Sequence, residues 1–120
     1  MAYTSFEDLE VWQKACQLSV KVYAALKECK DYGLKDQMTR AGVSIASNIA
    51  EGAERGSPKE FVRFLHISKG SAAELRTQIY ICRRIDVLSE ELHRDLVKDC
   101  ISISQMIHGL IRSLSVKRNT

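Results

Sequence analysis

Few side chains in this 120-residue sequence are equipped for chemistry. His66, His93 and His108, with Cys16, Cys29, Cys82 and Cys100, are the candidate bases, nucleophiles and soft metal ligands. Glu90-Glu91-Leu92-His93 contains one Glu-x-x-His, the spacing that turns a carboxylate and an imidazole toward a di-metal centre in a helix bundle. Such a centre needs a second pair and two bridging glutamates. Neither His66 nor His108 has a glutamate three residues before it, and Glu90 stands where a helix should begin, a position that favours acids through the helix dipole. The cysteines form no C-x-x-C pair and have no histidine at ligand spacing, so they read as small buried hydrophobes in a reducing compartment. Helical ribonuclease toxins use an arginine followed four to six residues later by histidine, whereas Arg63 precedes His66 by three. No glycine-rich phosphate loop is present. The expectation is a protein that is not an enzyme and carries no metal or other cofactor.

Two polar stripes remain. In the first, Gln37, Arg40, Ser44, Asn48, Glu51 and Arg55 recur at threes and fours among the small residues Ala41, Gly42, Ser47, Ala50 and Gly52. Small residues let helices approach closely, so these polar groups could be half buried and bonded across a seam, fixing register; a solvated face and a ligand site are the other readings. In the second, Lys69, Arg76 and Arg83 are spaced by sevens, with Lys59, His66, Tyr80 and Arg84 beside them. Cations interleaved with an aromatic suit a phosphate backbone and unstacked bases. A solvated face paired with acids of a neighbouring helix fits the same spacing.

The elements that must carry these stripes are helices. Ser5 with Asp8 opens the first, Gly56 ends the second, and Ser57-Pro58-Lys59-Glu60 supplies an N-cap, an N1 proline and an N3 glutamate for the third. Ser89 caps the fourth. The signals predict a single domain over residues 1–120 with helices at about 5–28, 34–55, 58–85 and 89–114. Apolar residues repeat in alternating threes and fours at Leu9, Trp12, Cys16, Ser19, Tyr23 and Leu26, and again at Leu92, Leu96, Cys100, Ile103, Ile107, Leu110 and Leu114, the seam of a left-handed bundle. The predicted fold is all-α, an antiparallel up-down-up-down four-helix bundle.

Helix 1 carries a second apolar stripe, Val11, Ala15, Leu18, Val22 and Ala25, rotated by roughly 120° from the first. A lone bundle needs one such stripe, so this one is expected to face another subunit of a homo-oligomer. Charge is uneven as well. The formal net charge is +3, and residues 61–120 hold ten Lys/Arg against six Asp/Glu. A ring of subunits would pool that field. No run of apolar residues is long enough to span a bilayer and the N-terminal acids exclude a signal peptide, so a cytoplasmic protein with no membrane contact is expected.

The run Gln37-Met38-Thr39-Arg40-Ala41-Gly42-Val43-Ser44-Ile45-Ala46-Ser47-Asn48-Ile49-Ala50-Glu51-Gly52, with Arg55, Ser57, Glu60, Phe61, Phe64-Leu65 and Gly70-Ser71-Ala72-Ala73-Glu74-Leu75, resembles the bacterial four-helix bundle family of 23S rRNA intervening-sequence proteins. Phe6-Glu7-Asp8-Leu9-Glu10-Val11-Trp12-Gln13-Lys14-Ala15 resembles that family's first helix. Gly42 and Thr39 stand where alanine and arginine are expected of it. The resemblance implies an up-down bundle that assembles as a homopentameric ring, with Gln37, Arg40, Ser44, Asn48, Glu51, Gly52, Arg55, Ser57, Glu60, Gly70, Ser71 and Glu74 as structural motif residues. It carries over no catalytic residue. Members are encoded within inserts of 23S rRNA genes, and others resemble accessory proteins of diversity-generating retroelements, which bind nucleic acid and a reverse transcriptase. The expected function is a ring that meets RNA or DNA backbone through Lys59, Lys69, Arg76, Tyr80, Arg83, Arg84, Arg112, Lys117 and Arg118. The alternative is an interaction scaffold or accessory subunit for a partner enzyme such as a reverse transcriptase.

Overall fold

Helix signals in the sequence become four helices in the structure, a computed structural model that describes residues 5–119, with side chains to residue 116. A 3-10 turn at Phe6–Asp8 leads into α1 (Glu10–Ala25), followed by α2 (Tyr32–Glu54), α3 (Pro58–Arg84) and α4 (Glu90–Asn119). No strand occurs among the described residues. The molecule measures 49 × 21 × 18 Å.

Capping fixes most of the boundaries. The Asp31 carboxylate accepts from the Leu34 N–H at 3.1 Å and starts α2; the Ser57 hydroxyl accepts from the Glu60 N–H ahead of Pro58; the Ser89 hydroxyl accepts from the Leu92 N–H. Gly56 ends α2 at φ +76°, a left-handed conformation that a side chain would strain. Helix 1 departs from expectation. Ser5 accepts from the Glu7 N–H and caps only the 3-10 turn, extended Leu9 breaks the chain, and α1 begins at Glu10.

Helices 2, 3 and 4 bury apolar rows at Met38, Ala41, Ile45 and Ile49; Phe64, Ser68, Ala72, Leu75, Ile79 and Cys82; and Leu96, Cys100, Ile103 and Ile107, whereas Leu92, expected in the last row, is 40% exposed and Leu110 and Leu114 are half-buried. Cross-helix contacts fix the pairing. Ser68 donates to the Ile45 carbonyl at 2.7 Å, and the Cys82 thiol lies 3.2 Å from the Met38 sulfur. A Cβ on Gly52 would fall 2.7 Å from the Phe64 Cβ, so α2 and α3 touch backbone to side chain there.

Helix 1 is turned from its expected orientation. Val11, Ala15, Leu18 and Val22, expected to face another subunit, are at most 5% exposed inside their own bundle, and Ala25 packs half-buried against the same core. Of the stripe expected to be core, Ser19 and Leu26 are buried as expected, Leu9, Trp12 and Cys16 are half-buried, and Tyr23 is 52% exposed. Spacing gives the two stripes equal claim, and side-chain volume decides between them. The slim row of Ala15, Leu18 and Val22 fits the close-packed centre, whereas an indole and a phenol suit the shoulder of the bundle, where Trp12 meets Phe6 edge-on at 5.2 Å.

Candidate nucleic-acid interface

The four helix seams carry different chemistry. Between α3 and α4 lies the cationic stripe. Lys69 Nζ stands 3.4 Å from His108 Nδ1, Tyr80 meets His93 edge-on at 5.0 Å, and Arg83 reaches both Asp86 at 3.4 Å and Glu90 at 3.1 Å. The Arg83 guanidinium, which hydrogen-bonds Glu90, holds that carboxyl below its ordinary range, with Arg94 adding to the effect. The solvated-pair reading therefore applies to Arg83. Lys59, Lys69, Arg76, Arg84 and Arg112 form no ion pair with a carboxylate among the described residues. Lys59, Arg84 and Arg112 are exposed, Lys69 and Arg76 half-buried, and Tyr80 is 44% exposed. Lys117 and Arg118 lie outside the residues whose side chains are described.

Several of the motif residues meet at the α2–α3 seam. Ser44 and Ser71 exchange a hydrogen bond of 2.9 Å between the helices, and Asn48 donates to the Ser44 carbonyl and hydroxyl at 2.8 and 2.9 Å. Farther along, Arg55 and Arg63 both lie over the Phe64 ring, at 4.8 and 4.6 Å, and each pairs with an acid of its own helix, Glu51 and Glu60. Both are cation–π contacts on the side chain whose Cβ Gly52 approaches. The hydrogen bond from Arg63 also holds the Glu60 carboxyl below its usual range. Gln37, Arg40, Ala41, Ser44 and Glu74 rim a shallow groove of about 320 Å³. Gly70 differs from the other motif residues, because open space lies where its Cβ would be.

Along α1 and α4, Lys21 bridges Asp95 at 3.0 Å and Asp99 at 2.8 Å, which raises its own proton affinity. The α1–α2 seam is apolar: Phe6, Trp12, Cys16, Val20, Tyr23, Val43 and Ala50 border an open groove of about 410 Å³. Sequence reasoning missed it, because it assigned Trp12, Cys16 and Tyr23 to the core. The exposed position of Val20 outside both stripes was the available signal.

The described residues contain no cluster of three or more His, Cys, Asp or Glu able to hold a metal ion. Burial pushes the Cys82 thiol up to about 11 and the Cys100 thiol up to about 12, far from a reactive thiolate. No described helix is long and apolar enough to cross a membrane. The seams offer instead a surface with unpaired cations, a hydrogen-bonded motif seam and an apolar groove.

No curated protein matches the chain. Among solved structures it is similar to a protein of unknown function from the S23 ribosomal protein family of Bacteroides thetaiotaomicron VPI-5482, with 25% identity and a TM-score of 0.79 over 84% of this chain and 97% of that one. Neither that description nor the family's names an enzymatic activity. The model of the 23S rRNA-intervening sequence proteins matches residues 7–109, which contain the α2–α3 motif seam and most of the α3–α4 stripe. The chain therefore belongs to the 23S rRNA-intervening sequence protein family.

Proposed function

We propose that this is a non-enzymatic, cytoplasmic protein that assembles as a homopentameric ring and binds RNA or DNA backbone along the α3–α4 seam. The reading takes the bundle as antiparallel, supported by the pairing of Met38 with Cys82, Ile45 with Ser68 and Gly52 with Phe64. The observation that carries it is the set of cations on α3 and α4 without a carboxylate partner, Lys59, Lys69, Arg76, Arg84 and Arg112, with half-exposed Tyr80 among them. A structural role would have matched these charges with acids, as it matches Arg83. The charges contact phosphates, so binding is sequence-tolerant and driven by counterion release. A mixed-charge rim at Gln37, Arg40 and Glu74 favours a second reading, a scaffold or accessory subunit that docks a partner enzyme such as a reverse transcriptase.

Gel-shift titration against structured rRNA and single strands tests the first reading. Affinity should fall steeply with salt, and Arg76→Glu, Arg84→Glu and Arg112→Glu combined should abolish it, with Arg83→Glu contributing less because that charge is already paired. Affinity at low salt no greater than that of a mildly basic control protein would overturn the proposal. Partner capture that survives nuclease and charge reversal would favour the scaffold.

A further inference from the structure

Acids are missing from one end of the α3–α4 seam. Residues 61–73 of α3 and 100–116 of α4 contain no Asp or Glu, while Arg63, His66 and Lys69 lie in the first segment and His108 and Arg112 in the second. Arg63 is engaged by Glu60 and the Phe64 ring. Across the seam, half-buried Lys69 brings its Nζ to 3.4 Å from Nδ1 of exposed His108, and these two residues with Ser104 and Gln105 line a groove of about 350 Å³. Nothing overhangs the pair from the next position of either helix. Gly70 and Gly109 directly follow Lys69 and His108, and at each the space within 4 Å of a would-be Cβ is empty. Glycine weakens a helix interior, and packing requires neither of these two. What they leave is clearance for an occupant to approach the backbone closely.

A lysine ammonium has only donors. In the neutral His108 ring the nitrogen facing Lys69 is therefore the acceptor, and the hydrogen sits on Nε2. Once the ring is protonated, two cationic donors face each other across 3.4 Å. An anion placed between them turns that repulsion into two charge-assisted hydrogen bonds. The surroundings supply no such anion. On α3 the neighbours are His66, one turn before Lys69, and Arg76, one heptad after it; on α4 Arg112 stands one turn beyond His108. Helix 1 packs on the other flank of α4, where Lys14 and Lys21 share a groove with Asp99 and Ser102. Asp99 lies roughly 180° around α4 from His108, at about 100° per residue, and is bound by Lys21.

We infer that Lys69 and His108 form a phosphate-binding subsite, in which one backbone phosphodiester of the bound strand accepts from the Lys69 ammonium and from the protonated His108 ring. The inference rests on the nucleic-acid reading above and adds to it His108, a residue outside the set of permanently charged side chains. Where the ring is neutral beforehand, binding takes up one proton. A phosphodiester keeps its single negative charge, so the proton goes to the ring. Affinity for nucleic acid therefore rises as pH falls through the range in which imidazoles titrate, whereas contacts from Lys and Arg alone do not change there.

Fluorescence anisotropy on the full chain tests this with a thymidine strand of about 20 nucleotides, because neither its bases nor its phosphodiesters titrate between about pH 8 and pH 5.5, the window of histidine. At constant ionic strength, wild-type affinity should rise by roughly 5-fold or more from the higher pH to the lower. His108→Gln keeps a donor but cannot become charged, and should remove most of the rise. His108→Lys is charged throughout, and should bind at the higher pH about as tightly as the wild type does at the lower. His66→Gln should leave the rise in place. Both histidines are exposed, so each variant should keep wild-type helicity. Salt-dependent binding with a flat pH profile, or with a rise that survives His108→Gln, overturns the subsite and leaves the seam standing. A wild type that binds the strand no better than a mildly basic control protein at either pH overturns both. If inorganic phosphate shifts the His108 ring resonances while the strand does not, the site takes free phosphate and the inference falls.

Discussion

Replacing one helical glycine at a time by alanine should move stability in opposite directions, and the structure says which way. In a helix interior the change gains about 1 kcal/mol from backbone entropy alone. At Gly109 an added Cβ meets nothing within 4 Å, so the whole gain should appear. At Gly42 the nearest atoms belong to Ser19 at 3.5 Å, an ordinary contact, and most of the gain should survive. Gly52 is different. Its Cβ would lie 2.7 Å from the Phe64 Cβ and 3.1 Å from the Phe61 ring. The first distance is ~0.8 Å short of van der Waals contact. The obstructing atom is fixed to the α3 backbone, so no rotamer change relieves it and the two helices must part. Overpacking of this kind costs about 1–3 kcal/mol. The Ser68 bond to Ile45 and the Arg55–Phe64–Arg63 stack lie on the seam that opens. Set against the propensity gain, Gly52→Ala should lose up to about 2 kcal/mol, a Tm lower by up to roughly 8 °C, while Gly109→Ala gains about 4 °C. Thermal melts by circular dichroism, at one protein concentration because assembly shifts Tm, would refute the reasoning if Gly52→Ala melted above the wild type or if Gly109→Ala fell below it.

Two further outcomes follow from the titrating groups. A thiol reagent near pH 8 should label half-buried Cys29 and, more slowly, Cys16 in dilute native protein. Cys82 and Cys100 should react only on unfolding, since fewer than about one thiol in a thousand would be ionised there even if reached; native labelling of Cys100, read by mass spectrometry, would contradict the packing. Glu60 is held below its ordinary value of 4.5 chiefly by the Arg63 hydrogen bond. The unfolded chain therefore takes up its proton first, and the stabilisation is present above pH 4.5 and fades as pH falls through the folded value. Urea melts should show the gap between wild type and Glu60→Gln closing below that pH, and a gap that widened would reverse the sign.

How much of this was legible beforehand depended on whether a position had competitors. The Ser57-Pro58 start of α3 had none, because the cap is unambiguous. Helix 1 presents two stripes with the same 4-3-4-3 spacing, and spacing carries no information about volume. Only the packed bundle, which leaves Ala15, Leu18 and Val22 at most 1% exposed and Tyr23 52% exposed, shows that the slim stripe belongs inside. The motif residues Ser44, Asn48 and Ser71 were recognisable as polar groups among small ones, and the hydrogen bonds that join them appear once α2 and α3 are aligned. Among the cations, sequence could not separate Arg83 from Arg76. Their chemical difference is the presence of Glu90, which arrives from the next helix through the turn at Asp86.

The Lys21 bridge to Asp95 and Asp99 has a consequence for the order in which the bundle comes apart. It is the only ion pair among the described residues that ties α1 to α4, and its side chains are 44%, 48% and 30% exposed, so water and salt screen it. Alpha-1 is also the shortest of the four helices, at 16 residues. An opening that lifts α1 away therefore needs less than global unfolding, and its amides should exchange with solvent before those of α3. Such a departure exposes Leu18 and Val22 and dismantles one wall of the apolar groove in the same motion.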